Sequence, residues 1–328
     1  MRLNKWRQKN LLEEDNSFIK IFNQFIMKAA NSRRKFISSV TAFAGGQLLI
    51  TKPIASLASF TAPSNENTTV GQIMDQFISE VPGKVLKETV DTLKAGSKDI
   101  VVKGIVTTMF ATVEVIKKSI DLGANFIIAH EPTFYNHQDA TAWLENDPVY
   151  QYKMDLLKKN NIAVWRNHDY VHRLNPDPVT STFLQKLDWL KYTTKAVPKM
   201  ATVPTTKLNE VITKMKTTLG VEQVRFIGDL NQDCSKLLFM LGASGASSHI
   251  LGLRQLKPDV LICGEISEWE TAEYVRDARS KGDNVSLIVL GHIASEEAGS
   301  EFVASWLHEK YPSIKTTHVP AGNSLSFF

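Results

Sequence analysis

Asn125-Phe-Ile-Ile-Ala-His130-Glu131-Pro132 is the stretch on which the reading of this chain turns. Phe126 to Ala129 are apolar without alternation, the pattern of a strand buried on both faces of a helix-covered parallel sheet. The run ends in His130 and Glu131, and Pro132 favours a loop there. In open α/β sheets, ligands and reacting groups gather at the carboxyl ends of strands. The stretch therefore speaks for a fold and for a site at once.

Working outward, the same alternation recurs. Val70 to Val81 reads as a helix, Ile100 to Thr107 as a strand, and Thr112 to Leu122 as an amphipathic helix closed by Gly123. Val149 to Asn160 is a helical pattern and Ile162 to Trp165 a strand. In the second half, Leu208 to Leu219 reads as a helix, and Lys236 to Leu241, Val260 to Cys263 and Val285 to Leu290 as strands. Helices follow the last two, Glu268 to Ser280 and Ser295 to Lys310. Alternating βα units predict an α/β fold with mostly parallel sheets covered by helices.

Two further strands share the feature of the first. Ala163-Val-Trp-Arg-Asn runs into His168, with Asp169 and His172 just beyond, and Leu287-Ile-Val-Leu-Gly runs into His292, with Glu296 one helical turn later. His292 and Glu296, four apart, share a helix face. Imidazoles with carboxylates suit Zn, Fe, Mn or Co. Two nearby divalent ions need carboxylates to offset their repulsion, and Glu131 and Glu296 supply that charge. Such a pair lowers the pKa of a bridging water. Spacing alone leaves open that these are structural histidines, as expected of His308 and His318.

Composition narrows the class. The 328-residue chain has a formal net charge of +4, but residues 1–62 hold ten of its 38 basic and three of its 34 acidic groups. The remainder is left with a net of −3, which gives no electrostatic reason to expect nucleic acid. Cys234 and Cys263 lie in apolar runs and read as buried free thiols.

The N-terminal basic excess has an order. Ser32-Arg33-Arg34-Lys35-Phe36-Ile37 resembles a twin-arginine motif, followed by an apolar stretch from Val40 to Ile50 and small residues from Ala55 to Ala62. Residues 1–62 are therefore expected to be an upstream extension and an export signal, with periplasmic delivery, a polar linker over 63–70, and one functional domain over 63–328. The apolar stretch is too short for a stable membrane span.

Val102-Lys-Gly-Ile-Val-Thr107, Asp121 through Phe134, Asn161 through His168, Pro258 through Glu265 and Gly291 through Glu296 together resemble the NIF-three-like proteins, a dinuclear-metal-centre family many of whose members carry the label GTP cyclohydrolase type 1 type 2. The order and spacing hold along nearly all of residues 70–328. The resemblance implies two similar α/β lobes with the metal pocket between them, and a homo-oligomer, a toroidal hexamer. It places two divalent metal ions on His130, Glu131, His172, His292 and Glu296. Two of these depart from the family pattern, which usually has His-His-Pro where this chain has His130-Glu131-Pro132, and an Asp at the position of His172. The exchange keeps three histidines and two acids. Asp169 is the rival ligand in its segment.

By the same resemblance His168 lines the pocket, as proton shuttle or ligand-orienting group, with a plain buried histidine as the alternative. Glu265, in a Gly-Glu segment shared with Glu268, is the second candidate for moving protons. The Gly242 to Ser248 loop resembles a Gly-Ser-Gly turn, with anion binding as its functional reading, and Tyr135 and His137 flank the entrance. The expected function is a metal-dependent hydrolase of a nucleotide-like or phosphorylated small molecule. The alternative is a non-enzymatic metal-binding or scaffold protein acting through its ring. No guanine-reading residues stand out, and export removes the chain from cytoplasmic GTP.

Overall fold

The first strand read from the sequence, β3 (Phe126–Ala129), is buried along its whole length. The computed structural model describes residues 67–83, 85–326 and 328, so the expected export signal and most of the linker lie outside the described residues. β3 is the middle strand of a five-stranded sheet ordered β1 (Leu93–Ala95), β4 (Ala163–Arg166), β3, β2 (Ile105–Thr108), β11 (Thr316–His318). All pairings are parallel except that of the edge strand β1. Thr108, Ala129 and Arg166 are level across β2, β3 and β4, so the chain leaves all three strands along one sheet edge.

The second lobe has a six-stranded sheet ordered β5 (Thr193–Thr194), β6 (Val197–Lys207), β8 (Asp233–Met240), β9 (Val260–Cys263), β10 (Ser286–Val289), β7 (Arg225–Ile227). It is parallel through β8, β9 and β10 and antiparallel at its flanks. The long strand β6 was not expected because Pro198 and Pro204 demote its run. Ile100 to Thr107 proves regular only from Ile105; Val101 makes an isolated bridge to Thr69.

Helices cover both sheets. α1 (Val70–Glu80) starts with a capping box of Thr69 and Gln72. α2 (Val113–Asp121) is capped by Thr112, and α3 (Pro148–Lys159) by Asp147 with proline in the first turn. The single turn α4 (Asp169–His172) and α5 (Pro178–Lys186) follow β4. α6 (Leu208–Leu219), α7 (Ala246–Leu256), α8 (Glu273–Ser280) and α9 (His292–Lys310) belong to the second half. A π-helical turn at Glu268–Ala272 precedes α8, where one continuous helix was expected.

α9 ties the lobes together. It leaves β10, yet its Val303, Trp306 and Leu307 pack into the first lobe's core with Ile105 and Phe126, and Trp306 meets Phe77 edge-on at 5.0 Å. Each buried side chain of this kind contributes about 1.5–3 kcal/mol. The helix begins at His292, earlier than the expected Ser295, so His292 and Glu296 occupy its first two turns. Cys234 and Cys263 are buried free thiols, as read. No helix among the described residues is long and apolar enough to cross a membrane.

Candidate metal centre

The edge from which β3 and β4 discharge faces the start of α9, and four histidines meet there. His130 follows β3, His168 caps α4, His172 ends α4, and His292 opens α9. The ring centres of His130, His168 and His172 lie 4.9, 4.9 and 5.1 Å apart. Glu296 Oε2 is 3.1 Å from His292 Nε2 and 3.5 Å from His130 Nε2, and its Oε1 is 3.9 Å from His172 Nε2. Glu131 Oε1 lies 3.3 Å from His292 Nε2 and 3.6 Å from His168 Nε2. Two groups have donor atoms close enough to hold a metal ion, His130 with His168 and His172, and His130 with Glu131 and Glu296.

Each ring is held from behind through its other nitrogen. His130 Nδ1 donates to the Asn167 carbonyl at 3.3 Å. A carbonyl only accepts, so Nδ1 carries a proton, and Nε2 is turned inward toward Glu296. Nδ1 of His168 meets Asp169 Oδ1 at 2.9 Å, Nδ1 of His172 meets Asp177 Oδ2 at 3.3 Å, and Nδ1 of His292 lies 3.5 Å from Glu265 Oε2. Acceptors behind imidazoles, with the outer nitrogen converging on carboxylates, are the arrangement that orients metal-ligating histidines.

The backing residues are fixed in turn. Asp169 Oδ2 accepts from the Thr89 hydroxyl at 2.8 Å and from the Val90 amide. Asp177 also caps α5 through the Val179 amide and the Thr180 hydroxyl. Buried Asp91 accepts from the amides of His168, Asp169 and Tyr170 at 2.8 to 3.0 Å, satisfying the free N–H groups at the start of α4. Fully buried Arg166 donates to Glu131 Oε2 at 3.1 Å and to the carbonyls of His130 and His137. It also faces Asp139 at 3.5 Å, and Asp139 faces Lys94 at 3.1 Å. An alternating buried chain, Lys94–Asp139–Arg166–Glu131, thus leads to the centre.

Charge is concentrated here. Burial would raise the Glu296 carboxyl, but His130 and His292 overcome it and hold it well below the usual range. Burial likewise opposes ionisation of Glu131, and His292, His130 and His168 prevail. Burial, aided by the neighbouring His130, pushes His168 down to about 4. On His292 burial is outweighed by Glu131, Glu265 and Glu296, which lift it to about 11. His130 Nε2 is buried without a hydrogen-bond partner. An orphaned inward nitrogen beside two ionised carboxylates fits a bound cation.

The structure brings His130, Glu131, His172, His292 and Glu296 together, with His168 among them. Asp169, the rival ligand, faces away and backs His168. Glu265 stands at the rim with its side chain 56% exposed. His137 lies 6.3 Å from the His168 ring, and Tyr135 is exposed beside Lys153. Glu268 pairs with Arg225 at the surface instead of entering the chamber, and Trp269 is 82% exposed. In the Gly242 to Ser248 loop, Ser244 is spent on the Leu241 carbonyl and Gly242 abuts Glu296. His308 bonds the Thr316 carbonyl; His318 lies between Thr107 and Glu297.

Sequence reasoning missed Asp91, Arg166 and Asp177. Asp177-Pro178 carries the capping signature of a helix start, which would have located α5 and the carboxylate behind His172. Arg166, a lone charge closing an apolar strand, needed a partner, and the nearest unpaired acid at a strand end was Glu131. Asp91 left no such signal, since its three donors lie 77 or more residues away in sequence.

Fold and chamber define an α/β protein with a histidine- and carboxylate-lined centre fitted to metal. Residues 72–322 match the family described as Duf34/NIF3 (NGG1p interacting factor 3), and the chain belongs to that family. It is similar to a GTP cyclohydrolase 1 type 2 homolog of Clostridium perfringens, at 26% identity over 231 residues, 67% of this chain and 84% of that one. A Staphylococcus aureus protein shares the fold at 20% identity with a TM-score of 0.62, over 79% of this chain and 98% of its own. A Bacillus cereus protein related to NIF3 does so at 16% identity with a TM-score of 0.63, over 80% of this chain and 99% of that one.

Proposed function

We propose that the chain is a dinuclear metal-dependent hydrolase acting on a nucleotide-like or phosphorylated small molecule. The observation that carries this is the set of four histidines, each anchored through Nδ1 and turned through Nε2 toward Glu131 and Glu296. His130, Glu131, His172, His292 and Glu296 would hold the ions, drawn from Zn, Fe, Mn or Co by the donor chemistry. Bound divalent ions supply an acidified water and charge compensation for a phosphoryl or ring substrate. This chain's residues do the rest. Arg166 holds Glu131 in place through Oε2, leaving Oε1 toward the centre. Glu265, exposed at the rim and 3.5 Å from His292 Nδ1, is placed to take up and release a proton. The curated relative's cyclohydrolase name is the reason to include GTP among the substrates tested.

The test is turnover. Mature protein loaded with each metal is screened against phosphoesters, nucleotides and cyclic amides. Activity abolished by His292→Ala and by Glu296→Ala supports the reading, and activity indifferent to both sinks it. Tight metal binding with no turnover on any substrate favours the scaffold reading. Elemental analysis showing well under one ion per chain refutes the dinuclear centre itself.

We further infer hexamer assembly, from the family resemblance, and periplasmic delivery, from the order of motif, apolar run and small residues at the N-terminus. Light scattering tests the first. Fractionation of cells carrying Arg33→Lys with Arg34→Lys tests the second, the pair expected to retain the protein in the cytoplasm.

A further inference from the structure

We propose that His168 is itself a metal ligand, and that His130, His168 and His172 form an imidazole-only position beside a carboxylate-rich position of Glu131, His292 and Glu296. The proposal rests on the metal-centre reading above and assigns ligands within it.

The first argument is geometric. Three rings bound to one ion through nitrogens about 2.1 Å away, at near-tetrahedral angles, have centres about 5 Å apart. The observed triangle has sides of 4.9, 4.9 and 5.1 Å, and one nitrogen from each ring lies within 4.8 Å of the other two. Packing alone gives no reason for three imidazoles to stand equidistant with nitrogens inward. It also leaves the buried His130 Nε2 without a hydrogen bond, with Glu296 Oε2 3.5 Å away.

The second argument is the anchoring. The three rings are held by three separate acceptors, the Asn167 carbonyl, Asp169 and Asp177. Asp169 is itself fixed by Thr89 and Val90, so the His168 ring cannot swing without breaking that chain. With Nδ1 taken by Asp169, Nε2 is left facing the cluster, 3.6 Å from Glu131 Oε1. An immobile ring with a lone pair facing two other such rings is what a ligand requires.

The consequence is an asymmetric centre. Three imidazoles favour Zn, Co or Fe, whereas one imidazole with two carboxylates tolerates Mn or Mg better. The two positions should therefore fill in order and with different metals.

Full-length protein, stripped of metal, is titrated with cobalt(II) and with zinc, followed by visible absorption and elemental analysis. X-ray absorption is recorded on the one-equivalent zinc form. The expected first zinc shows scattering from about three imidazoles. His168→Gln is expected to lower the stoichiometry from two ions to one and to remove the early cobalt band, and His292→Ala to remove the late one. Asp169→Asn keeps the ring but loosens its anchor. It is expected to weaken the first ion 10–100-fold, and it serves as the test if His168→Gln does not fold. A folded His168→Gln that binds two ions with unchanged affinity overturns the proposal and returns His168 to proton transfer. Wild-type protein that binds no metal overturns the metal-centre reading itself, a separate result.

Discussion

In the first lobe the residues leaving β3 and β4 are His130-Glu131 and Asn167-His168, whereas those leaving β8, β9 and β10 in the second are Leu241-Gly242, Gly264-Glu265 and Leu290-Gly291, with His292 next. Both lobes present the carboxyl ends of parallel strands to the start of α9. The first ends its strands directly in donors, and the second places a glycine ahead of Glu265 and of His292. The difference makes room for α9. A Cβ at Gly242 would stand 2.4 Å from Glu296 Oε1, and one at Gly264 would stand 2.5 Å from Ser295 Oγ. The donor lobe is then braced by side chains, Asp91, Arg166 and Asp177, and the open lobe by backbone. The Glu265 amide donates to the Gly242 carbonyl at 3.0 Å, and the Gly291 amide to the Gly264 carbonyl at 2.9 Å.

The sharpest way to break this contrast is Arg166→Met. It strips the partner from Glu131 and from Asp139, two buried carboxylates, and removing one member of a buried ion pair costs about 3–5 kcal/mol. Denaturant unfolding of the metal-free protein should show a loss of that size, recovered in part by adding Glu131→Gln. A loss under about 1 kcal/mol means that side chains do not brace the donor lobe.

Gly242→Ala probes the other side. Gly242 has φ +63°, where a side chain is strained by about 1–3 kcal/mol, and its new methyl would also displace the Glu296 carboxylate. Gly220→Ala is the control, with φ +66° and nothing within 4 Å, so it carries the strain alone. Gly242→Ala should destabilise more than the control by about 1 kcal/mol or more and bind metal far more weakly, while the control keeps its metal. Equal effects on both measures remove the reason for an open second lobe.

Asp177→Asn separates anchoring from folding within the donor lobe. Asparagine caps a helix about as well as aspartate, so α5 should hold and the melting temperature should move little. The His172 ring, however, loses a charged acceptor, and metal affinity should fall about 10–100-fold by calorimetric titration. A melting temperature that falls along with affinity shows that Asp177 acts through α5 instead.

These effects mark where the sequence could be read and where it could not. The donors were legible because each lies at the end of an apolar run, a pattern local in the chain. Gly242 was legible only as a turn; that it clears Glu296, 54 positions later, is a fact of packing. His168 and His172 could be placed together, but not the capping of their helical turn by Asp91, which accepts from the His168 and Asp169 amides. Glu131 read as an exchange with His172 in ligand type. The structure adds Arg166, a buried counter-charge at the end of the neighbouring strand β4, as its companion.

The smallest expected effect uses the lobes' unequal cysteine content. Among the described residues both thiols lie in the second sheet, Cys234 in β8 and Cys263 in β9. Burial pushes them up to about 11 and about 12. At pH 8 the folded thiols are almost wholly protonated, so a thiolate-selective reagent should modify neither until the sheet opens. Labelling then reports opening of the second lobe alone. Stability from the buried neutral thiols is fully present below the unfolded thiol value of about 8.5 and is lost as pH rises through the folded values. On the proposed ligand set, bound metal would clamp Glu296 and His292 of α9 to donors of the first lobe and so would stabilise only the closed form. It should therefore slow labelling in the wild type and leave it unchanged in Glu296→Ala. Labelling that ignores metal in both would mean that the second lobe opens without releasing α9, and that the two lobes meet at the centre without being coupled through it.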